Sequence, residues 1–528
     1  MDFKLALCFG LLLSSNFLCC QQSEFVLGKL IKSETLEPIP YASIRIKNKD
    51  IGLITNFDGG FKIPAKFKNI GDTLEISSLG YNTKIVFLSQ LSEYQINIIS
   101  LSESIEILNE VIVETSKKPK RLNPKEIVRY AIRRIDENFP VEPFSYVGYY
   151  RDYQLKDDRY LNLNEAILAI FDPGFDQRDL KDTQIQIYKY IENYNFIRDS
   201  IAAQTYNYVD RTKIIPKATI SGRIANEYVR LRLHDAIRNY NIQTYSFIDR
   251  LDIDFIKNHK LKLLADTFIS ETPLYNIKIS KVLDNIEVFG KIYISKSNFG
   301  IHKLEYAVYE KEPPKYLKGP FWNLGVRTMD NGKRGKLLYD IKVEYRRQNE
   351  KLYLNYISFN NAFDILLPPK FAPIAAEIDS DRKRFKLIMN NPPLEKDAII
   401  SKNYNLYYQK QKLNIEKIEI NKNNIYLYPK NAKVVFDPIL VQYFESRNLT
   451  GVAIEIKDVK DVYGNLVNES EAIHYNQFRE FFTQKVSSKT EKPTDTLYMK
   501  KTAPLNRNQP IASPVNPSDY WMNTPLEK

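Results

Sequence analysis

Thr55-Asn56-Phe57-Asp58-Gly59-Gly60-Phe61-Lys62-Ile63 joins a tight Asp-Gly-Gly turn to a strand in which apolar and polar residues alternate. Just upstream, Tyr41-Ala42-Ser43-Ile44-Arg45-Ile46-Lys47 alternates with period two, the mark of a half-buried strand. Phe25 to Ile31 opens the run, and Glu37-Pro38-Ile39-Pro40 turns it. Downstream, Asp72 to Ser77 and Lys84 to Leu88 continue the pattern. Short strands at this spacing predict a β-sandwich of about 90 residues.

Gly28, the Pro38-x-Pro40-x-Ala42-x-Ile44 run, Gly52, Thr55, Asp58-Gly59-Gly60-Phe61 and Leu79-Gly80-Tyr81 occur in order. This series resembles the carboxypeptidase-regulatory-like domain, over residues 24–114. The resemblance implies a transthyretin-like sandwich of the kind that begins many Bacteroidetes outer-membrane proteins. Leu108-Asn109-Glu110-Val111-Ile112-Val113 resembles the segment closing this domain in TonB-dependent receptors of that phylum. The motif residues read as fold residues. Glycines suit tight backbone positions, and Asp58 is expected to cap its own turn rather than to hold calcium or a ligand.

Residues 115–123 form a basic, Pro-containing linker. Asn123 is placed as an N-cap with Pro124 at the first helical position. Ile127, Val128, Ala131, Ile132 and Ile135 then recur at helical spacing up to Pro140. Arg129, Arg133 and Arg134 make an opposite basic face, read as solvated surface. From Phe144 to about Ile400 the text is Tyr-rich and strand-like, as in Ser145 to Tyr150, Tyr275 to Ile279, Val288 to Ile294, Lys336 to Tyr345 and Leu352 to Ile357. Thr205 to Leu264 is less regular, with possible helices.

The expected fold class is therefore mainly β with minor α: an N-terminal Ig/transthyretin-like β-sandwich, then a helix and a large antiparallel-sheet domain over residues 124–400. The order of helix and long strands also resembles the lipoprotein-carrier fold, a curved open sheet around a helix, in pattern and not in motif. Residues 401–486 are expected to form a small β-containing region around Leu449 to Gly464, with Phe478-Arg479-Glu480-Phe481-Phe482 following. Residues 487–528 are polar and Pro-rich, and a poorly packed tail able to dock on the body is expected.

The bulk composition agrees with a β protein. With 36 Tyr and 28 Phe against 2 Trp, the aromatic content favours pleated, half-buried surfaces. A net charge of +12 spread over 528 residues is a Lys-rich solvated surface that could assist contact with anionic lipid. No dense basic stripe, zinc-finger spacing or RNA-binding signature accompanies it, so no nucleic-acid partner is expected.

Lys4 followed by the apolar run Leu5 to Leu13 reads as a secretory signal over residues 1–20. All three cysteines, Cys8, Cys19 and Cys20, lie in or at the edge of it, so the mature chain is expected to hold no disulfide or Cys-based site. Cys19 or Cys20 could be acylated in a lipoprotein. Leu18 precedes Cys19 where a lipobox has a small residue, so cleavage before Gln21 is preferred.

A zinc carboxypeptidase needs two His and a Glu on one metal. The chain has four His (His234, His259, His302 and His474), and only His302-Lys303-Leu304-Glu305 has an HxxE form. That sequence lies in a strand, where residues three apart point to opposite faces, and His302 is read as a surface residue. Asp252/Asp254 and Glu310/Glu312 are read as charges on solvated strands. There is no Gly-x-Ser-x-Gly elbow, phosphate loop or dinucleotide fingerprint.

No plug motif is visible, and the chain beyond residue 113 is too short for a plug and a receptor barrel of about 22 strands. In a smaller barrel, Lys and Arg would interrupt both faces of most strands. The reading is a non-catalytic exported envelope protein, in the periplasm or associated with the outer membrane, acting as a binding or scaffold module toward an envelope protein, a glycan or a lipid. A lipid carrier, a small outer-membrane barrel and a hydrolase with an unrecognised site stand as alternatives. No catalytic, cofactor-binding or metal residue is assigned, and no cofactor is expected.

Overall fold

The computed structural model describes residues 24–49, 51–104, 122–157, 159–216, 226–240, 242, 250–269, 271–311, 335–408, 410–446, 452–491, 493–514 and 516–526. The expected signal with its three cysteines and Gln21, most of the linker, Leu108 to Val113 and Glu312 lie outside the described residues. The chain divides into two units, one from 1–205, 215–363 and 475–528, the other from 206–214 and 364–474.

The first unit begins with the sandwich. Strands β1 (Phe25–Lys32), β4 (Gly60–Pro64) and β7 (Asn97–Leu101) form one sheet in the order β4-β1-β7. The other sheet, in the order β3-β2-β5-β6, holds β2 (Ser43–Ile46), β3 (Gly52–Ile54), β5 (Thr73–Ser77) and β6 (Lys84–Phe87). Leu30, Ile44, Phe61, Leu74 and Ile76 are fully buried between them.

The motif residues now have physical reasons. A Cβ on Gly28 would lie 2.1 Å from the Phe61 ring, so only glycine lets the ring seat. Gly59 has φ +75°, a left-handed conformation that favours glycine, and a Cβ there would also meet the Leu30 carbonyl at 2.4 Å. Asp58 Oδ1 accepts the Gly60 N–H at 2.9 Å, the expected turn cap. The buried Thr55 hydroxyl accepts from Ala42 N–H and donates to the Ile39 carbonyl, tying the turn to β2.

Next comes the helix Pro124–Arg133. Asn123 accepts the Glu126 N–H while Glu126 accepts the Asn123 N–H, a complete capping box. Ile127, Val128 and Ala131 are buried as the spacing predicts. A short second turn, Ile135–Asn138, takes the chain to Pro140.

The large sheet is 12-stranded in all, and ten of its strands run in the order β10-β9-β8-β26-β18-β17-β16-β15-β14-β12. These are β8 (Phe144–Lys156), β9 (Arg159–Asp172), β10 (Gln184–Glu192), β12 (Lys260–Leu263), β14 (Thr272–Val282), β15 (Ile286–Ser295), β16 (Ile301–Glu310), β17 (Leu337–Gln348), β18 (Lys351–Leu366) and β26 (Ala472–Ser487). The short β13 (Thr267–Ile269) pairs with β14. One face packs beneath the helices Pro124–Arg133, Glu227–Leu233 and Ile253–Asn258, through Tyr146, Tyr150, Leu168, Ile277, Ile292 and Leu304. On the opposite face, Val147, Tyr149, Ile167, Tyr356 and Phe482 pack with Ile54 and Tyr41 of the sandwich.

The second unit holds the sheet β19-β20-β24-β23 and the sheet β22-β21-β25. Its strands are β19 (Pro373–Asp379), β20 (Arg384–Met389), β21 (Tyr404–Tyr408), β22 (Gln411–Leu413), β23 (Ile415–Asn421), β24 (Asn424–Pro429) and β25 (Val452–Ile456). The short β11 (Lys213–Ile214) pairs with Asp364 and Ile365. Phe385, Leu387, Ile425, Leu427 and Phe436 make a separate core.

Two boundaries differ from those expected. The second unit starts at 364 rather than 401, because Phe371, Phe385, Leu387 and Met389 bury in its own core. Phe478 to Phe482 do not belong to a C-terminal region, since β26 inserts between β8 and β18 at the centre of the large sheet.

The tail docks on the body and packs more closely than expected. Met499 N–H donates to the Ile185 carbonyl and Ala512 N–H to the Ile187 carbonyl, so the tail pairs along β10. Met499, Leu505, Ala512 and Trp521 are buried. The Pro-rich composition prevents regular structure there but not docking.

Trp521 enters the sandwich core beside Phe67, and its Nε1 donates to the Lys62 carbonyl at 2.8 Å. Trp521→Ala is expected to cost about 3–5 kcal/mol, read as a lower urea midpoint by far-ultraviolet circular dichroism. A loss below about 1 kcal/mol would show that the tail is not part of this core.

Candidate functional site

Tyr149-Tyr150-Arg151-Asp152-Tyr153 in β8 and Phe478-Arg479-Glu480-Phe481-Phe482 in β26 place charges among rings, and alternation sends successive charges to opposite faces. Register sets Arg151 directly opposite both Glu480 of β26 and Glu165 of β9. Arg151 Nε donates to Glu480 at 2.6 Å, and both side chains are 0% exposed. Tyr356 and Tyr153 hydroxyls also donate to Glu480. Arg151 further donates to Asn56 Oδ1 of the sandwich. Asn523 of the tail donates to the Ile54 carbonyl at 2.9 Å and accepts the Lys62 N–H. Arg45 of β2 donates to Asn355 of β18 at 2.7 Å. The sandwich, sheet and tail are thus joined by a buried polar seam.

On the helix-covered face, the segment after Asn226 is held by a second buried network. Arg238 takes Asp172 with two bonds, at 2.9 and 3.1 Å, while Arg232 bridges Asp172 and Asp179. Burial opposes ionisation of Asp172, but Arg232 and Arg238 outweigh it and hold its carboxyl below the usual range. The enclosed space beside this network is about 10 Å³, enough for one water at most.

The open site lies beside the seam. A cleft of about 450 Å³ is bordered by β1 and β4 of the sandwich, β9 and β10 of the sheet, and the tail. Lys62, Lys189, Tyr194, Tyr520 and Met522 line it, and Glu165 and Glu192 lie along its wall. Glu165 is fully engaged: it accepts from the Tyr149 and Thr524 hydroxyls and from the Asn193 amide. Glu192 accepts from Tyr194 and Arg507. Lys62 is half-buried with its ammonium 5.4 Å from the centre of the Phe25 ring. Burial pushes its pKa down, against the pull of Glu165 and Glu24.

The HxxE residues do not converge. His302 is 4% exposed, a correction to its expected surface position, and burial with Arg347 nearby lowers its pKa to about 4. Its ring lies inside because β16 is packed on that face. Glu305 instead pairs with Lys303 at 3.2 Å. Asp252 and Asp254 stand at the start of the helix Ile253–Asn258 rather than on a strand, and Asp254 pairs with Arg250. Among the described residues no group of three or more His, Cys, Asp and Glu side chains is placed to hold a metal. Sequence reasoning missed the seam and the cleft. The only signal was a charge flanked by aromatics in β8 and β26.

Residues 26–113 match the CarboxypepD_reg-like domain family, so the chain carries this domain at its first sandwich. Over 84 residues the chain is 36% identical to the TonB-dependent receptor SusC of Bacteroides thetaiotaomicron. That stretch is 16% of this chain and 8% of the receptor, so the chain spans only a small part of that relative's length. Among solved structures, a LolA superfamily protein from Nitrosomonas europaea is similar at 11% identity and a TM-score of 0.20, covering 46% of this chain and 86% of that one. A putative outer membrane lipoprotein-sorting protein domain from Vibrio parahaemolyticus has 11% identity and a TM-score of 0.18, covering 45% and 86%. Likeness at these scores carries no argument.

Arg151→Met leaves Glu480 charged and buried, and a loss of about 3–5 kcal/mol is expected. Adding Glu480→Leu is expected to recover most of it, as read by urea denaturation of the single and double variants. A single-variant loss near zero would show that the pair does not hold the seam.

Asp152 gives a pH dependence. Burial, with Glu227 nearby, raises its carboxyl to about 7, above the ordinary 3.8. The folded state then binds the extra proton between these values, so this group's contribution falls as pH rises from about 4 to about 7 and is level above. Asp152→Asn is expected to flatten that part of the stability curve, and an unchanged slope would assign it elsewhere.

Proposed function

We propose that the protein is an exported, non-catalytic binding module of a Bacteroidetes-type cell envelope, in the periplasm or at the outer membrane. Its ligand is taken in the cleft beside Lys62, Lys189, Tyr194 and Tyr520. The observation that carries this reading is the cleft itself: an opening of about 450 Å³ whose walls come from three chain segments locked together by the buried seam. Ligand sites are commonly preformed concavities of this size. The CarboxypepD_reg-like domain and the short match to an outer-membrane receptor support the envelope setting.

The alternatives find less support. A carrier needs an apolar chamber for acyl chains, whereas helices and side chains fill the described part of the helix-covered face. A small barrel needs a lipid-facing band, but helices cover one face of the sheet and the sandwich and tail pack on the other. A hydrolase of the zinc type is not supported by His302 and Glu305, which engage different surroundings.

Expression in a Bacteroidetes host, followed by fractionation and intact mass spectrometry, tests the reading. The protein is expected in the envelope fraction, with a mass beginning at Gln21 and the same mass under native and denaturing conditions. Recovery in the cytoplasm would overturn the envelope assignment. Stoichiometric lipid released on denaturation would replace the binding module with a carrier, and an acylated Cys19 or Cys20 would make it a lipoprotein.

A further inference from the structure

The chemistry of the cleft narrows its ligand. Three openings can be compared by what their cations do. Near Tyr293 and Asp340, Lys303 is paired with Glu305 at 3.2 Å and Lys342 lies 3.8 Å from Asp340, with Lys291 beside them. In the second unit, Arg384 is paired with Asp379 at 2.7 Å and Lys386 with Glu377 at 2.9 Å. The cleft of about 450 Å³ is the reverse case. Two of its three carboxylates are satisfied, Glu165 taking three donors and Glu192 two, while the exposed Glu24 also lines it. Among the described residues, no acceptor lies within bonding distance of the Lys62 or Lys189 ammonium groups. Lys62 and Lys189 outnumber the one carboxylate left over, Glu24, so the unused capacity of the cleft is net cationic. A desolvated ammonium gains most from an anion that brings its own acceptors.

The surrounding surfaces decide what bears the anion. Peptides that bind by strand addition need unpaired backbone groups at a sheet edge. Here the tail takes such groups on both strands beside the cleft. Lys62 N–H donates to Asn523 and its carbonyl accepts from Trp521. Ile185 and Ile187 carbonyls of β10 accept from Met499 and Ala512. The cleft also carries tyrosine rings: Tyr194 is 67% exposed, with Arg198 5.5 Å from the centre of its ring, and Tyr520 is half-buried. Tyrosine rings with polar tips suit a ligand with one apolar and one wet side. A pyranose ring is such a ligand, with axial C–H groups on one face and hydroxyls at its edge.

We propose that this cleft binds an acidic saccharide, its carboxylate or phosphate on the ammonium groups of Lys62 and Lys189 and a sugar ring against Tyr194 and Tyr520. The inference rests on the reading of the cleft as the binding site. Isothermal titration of the mature chain with tri-galacturonate, maltotriose and inorganic phosphate tests it, alongside Lys62→Met, Lys189→Met and Tyr194→Ala. Lys62→Met keeps the aliphatic stem against Phe25, and matching thermal melts confirm that each variant is folded. Tri-galacturonate is expected to bind, maltotriose at least tenfold more weakly, and each Lys variant to lose at least tenfold in affinity for the acid.

Phosphate that binds as tightly as tri-galacturonate, with no effect of Tyr194→Ala, would make the ligand a phosphate group without a sugar and overturn the proposal. Equal binding of maltotriose, still weakened by Tyr194→Ala, would overturn the acidic class while leaving the cleft as the site. Binding untouched by all three variants would overturn both, and so would no saccharide binding alongside an envelope location that stands.

Discussion

An arginine and a glutamate with no solvent exposure sit opposite each other on neighbouring strands, and the first unit is arranged around them. Moving either ion out of water is costly by several kcal/mol even after relaxation, so such a pair persists only where its remaining donors and acceptors are supplied. Glu480 receives its donors from the sheet itself, from Arg151, Tyr356 and Tyr153. Arg151 finds no second acceptor in the sheet, and one of its amino nitrogens stays without a partner. It takes Asn56 from the sandwich, and Asn56 sits beside Asn523 of the tail. The charged pair therefore requires the sandwich and the last residues of the chain to be in place. Packing alone would tolerate small displacements of either, whereas a hydrogen-bonded guanidinium does not.

The same face shows why the charges in these strands are not surface charges. Aromatic rings flank Arg151 on the sheet: Phe482 lies 5.1 Å away, Tyr153 5.7 Å and Tyr149 5.9 Å from the guanidinium carbon. Tyr41 of the sandwich stacks on Tyr356 at 5.1 Å, and Tyr356 on Phe482 at 5.1 Å. The abundance of tyrosine follows from this. A tyrosine contributes a large apolar ring to a sheet-on-sheet contact while its hydroxyl satisfies a buried carboxylate. Phenylalanine at 149, 153 or 356 would keep the ring and leave Glu165 or Glu480 short of a donor.

Much of the fold was legible because it rests on local rules. Period-two alternation located β2 and its continuation β5, Tyr-rich strand-like text located β8, the Asp-Gly-Gly turn located β4, and Asn123-Pro124 located the helix that follows the linker. What was not legible depended on contacts between residues far apart in the chain. The seam joins Arg45, Asn56, Arg151, Glu480 and Asn523, which alternation alone cannot pair. In the sequence, Lys and Arg within strands read only as charges that would interrupt a lipid-facing band. Their burial inside the protein could not be seen without knowing that β26 enters the middle of the sheet. The tail misled for a related reason: its Pro and polar residues preclude regular structure, but its backbone donors are satisfied at the edge of β10.

The cleft follows from the seam. By docking along β10 and across β4, the tail removes two exposed strand edges, which would otherwise be available for pairing with another chain. The surface left between them is bounded by side chains and no longer by backbone. Glu165 is drawn into the wall by Tyr149 and Thr524, so its carboxylate is occupied. That leaves a half-desolvated ammonium and tyrosine rings on a preformed opening, held by groups several strands apart. A site built this way has little freedom to close on a ligand, so its selectivity must come from matching charge and ring position in advance.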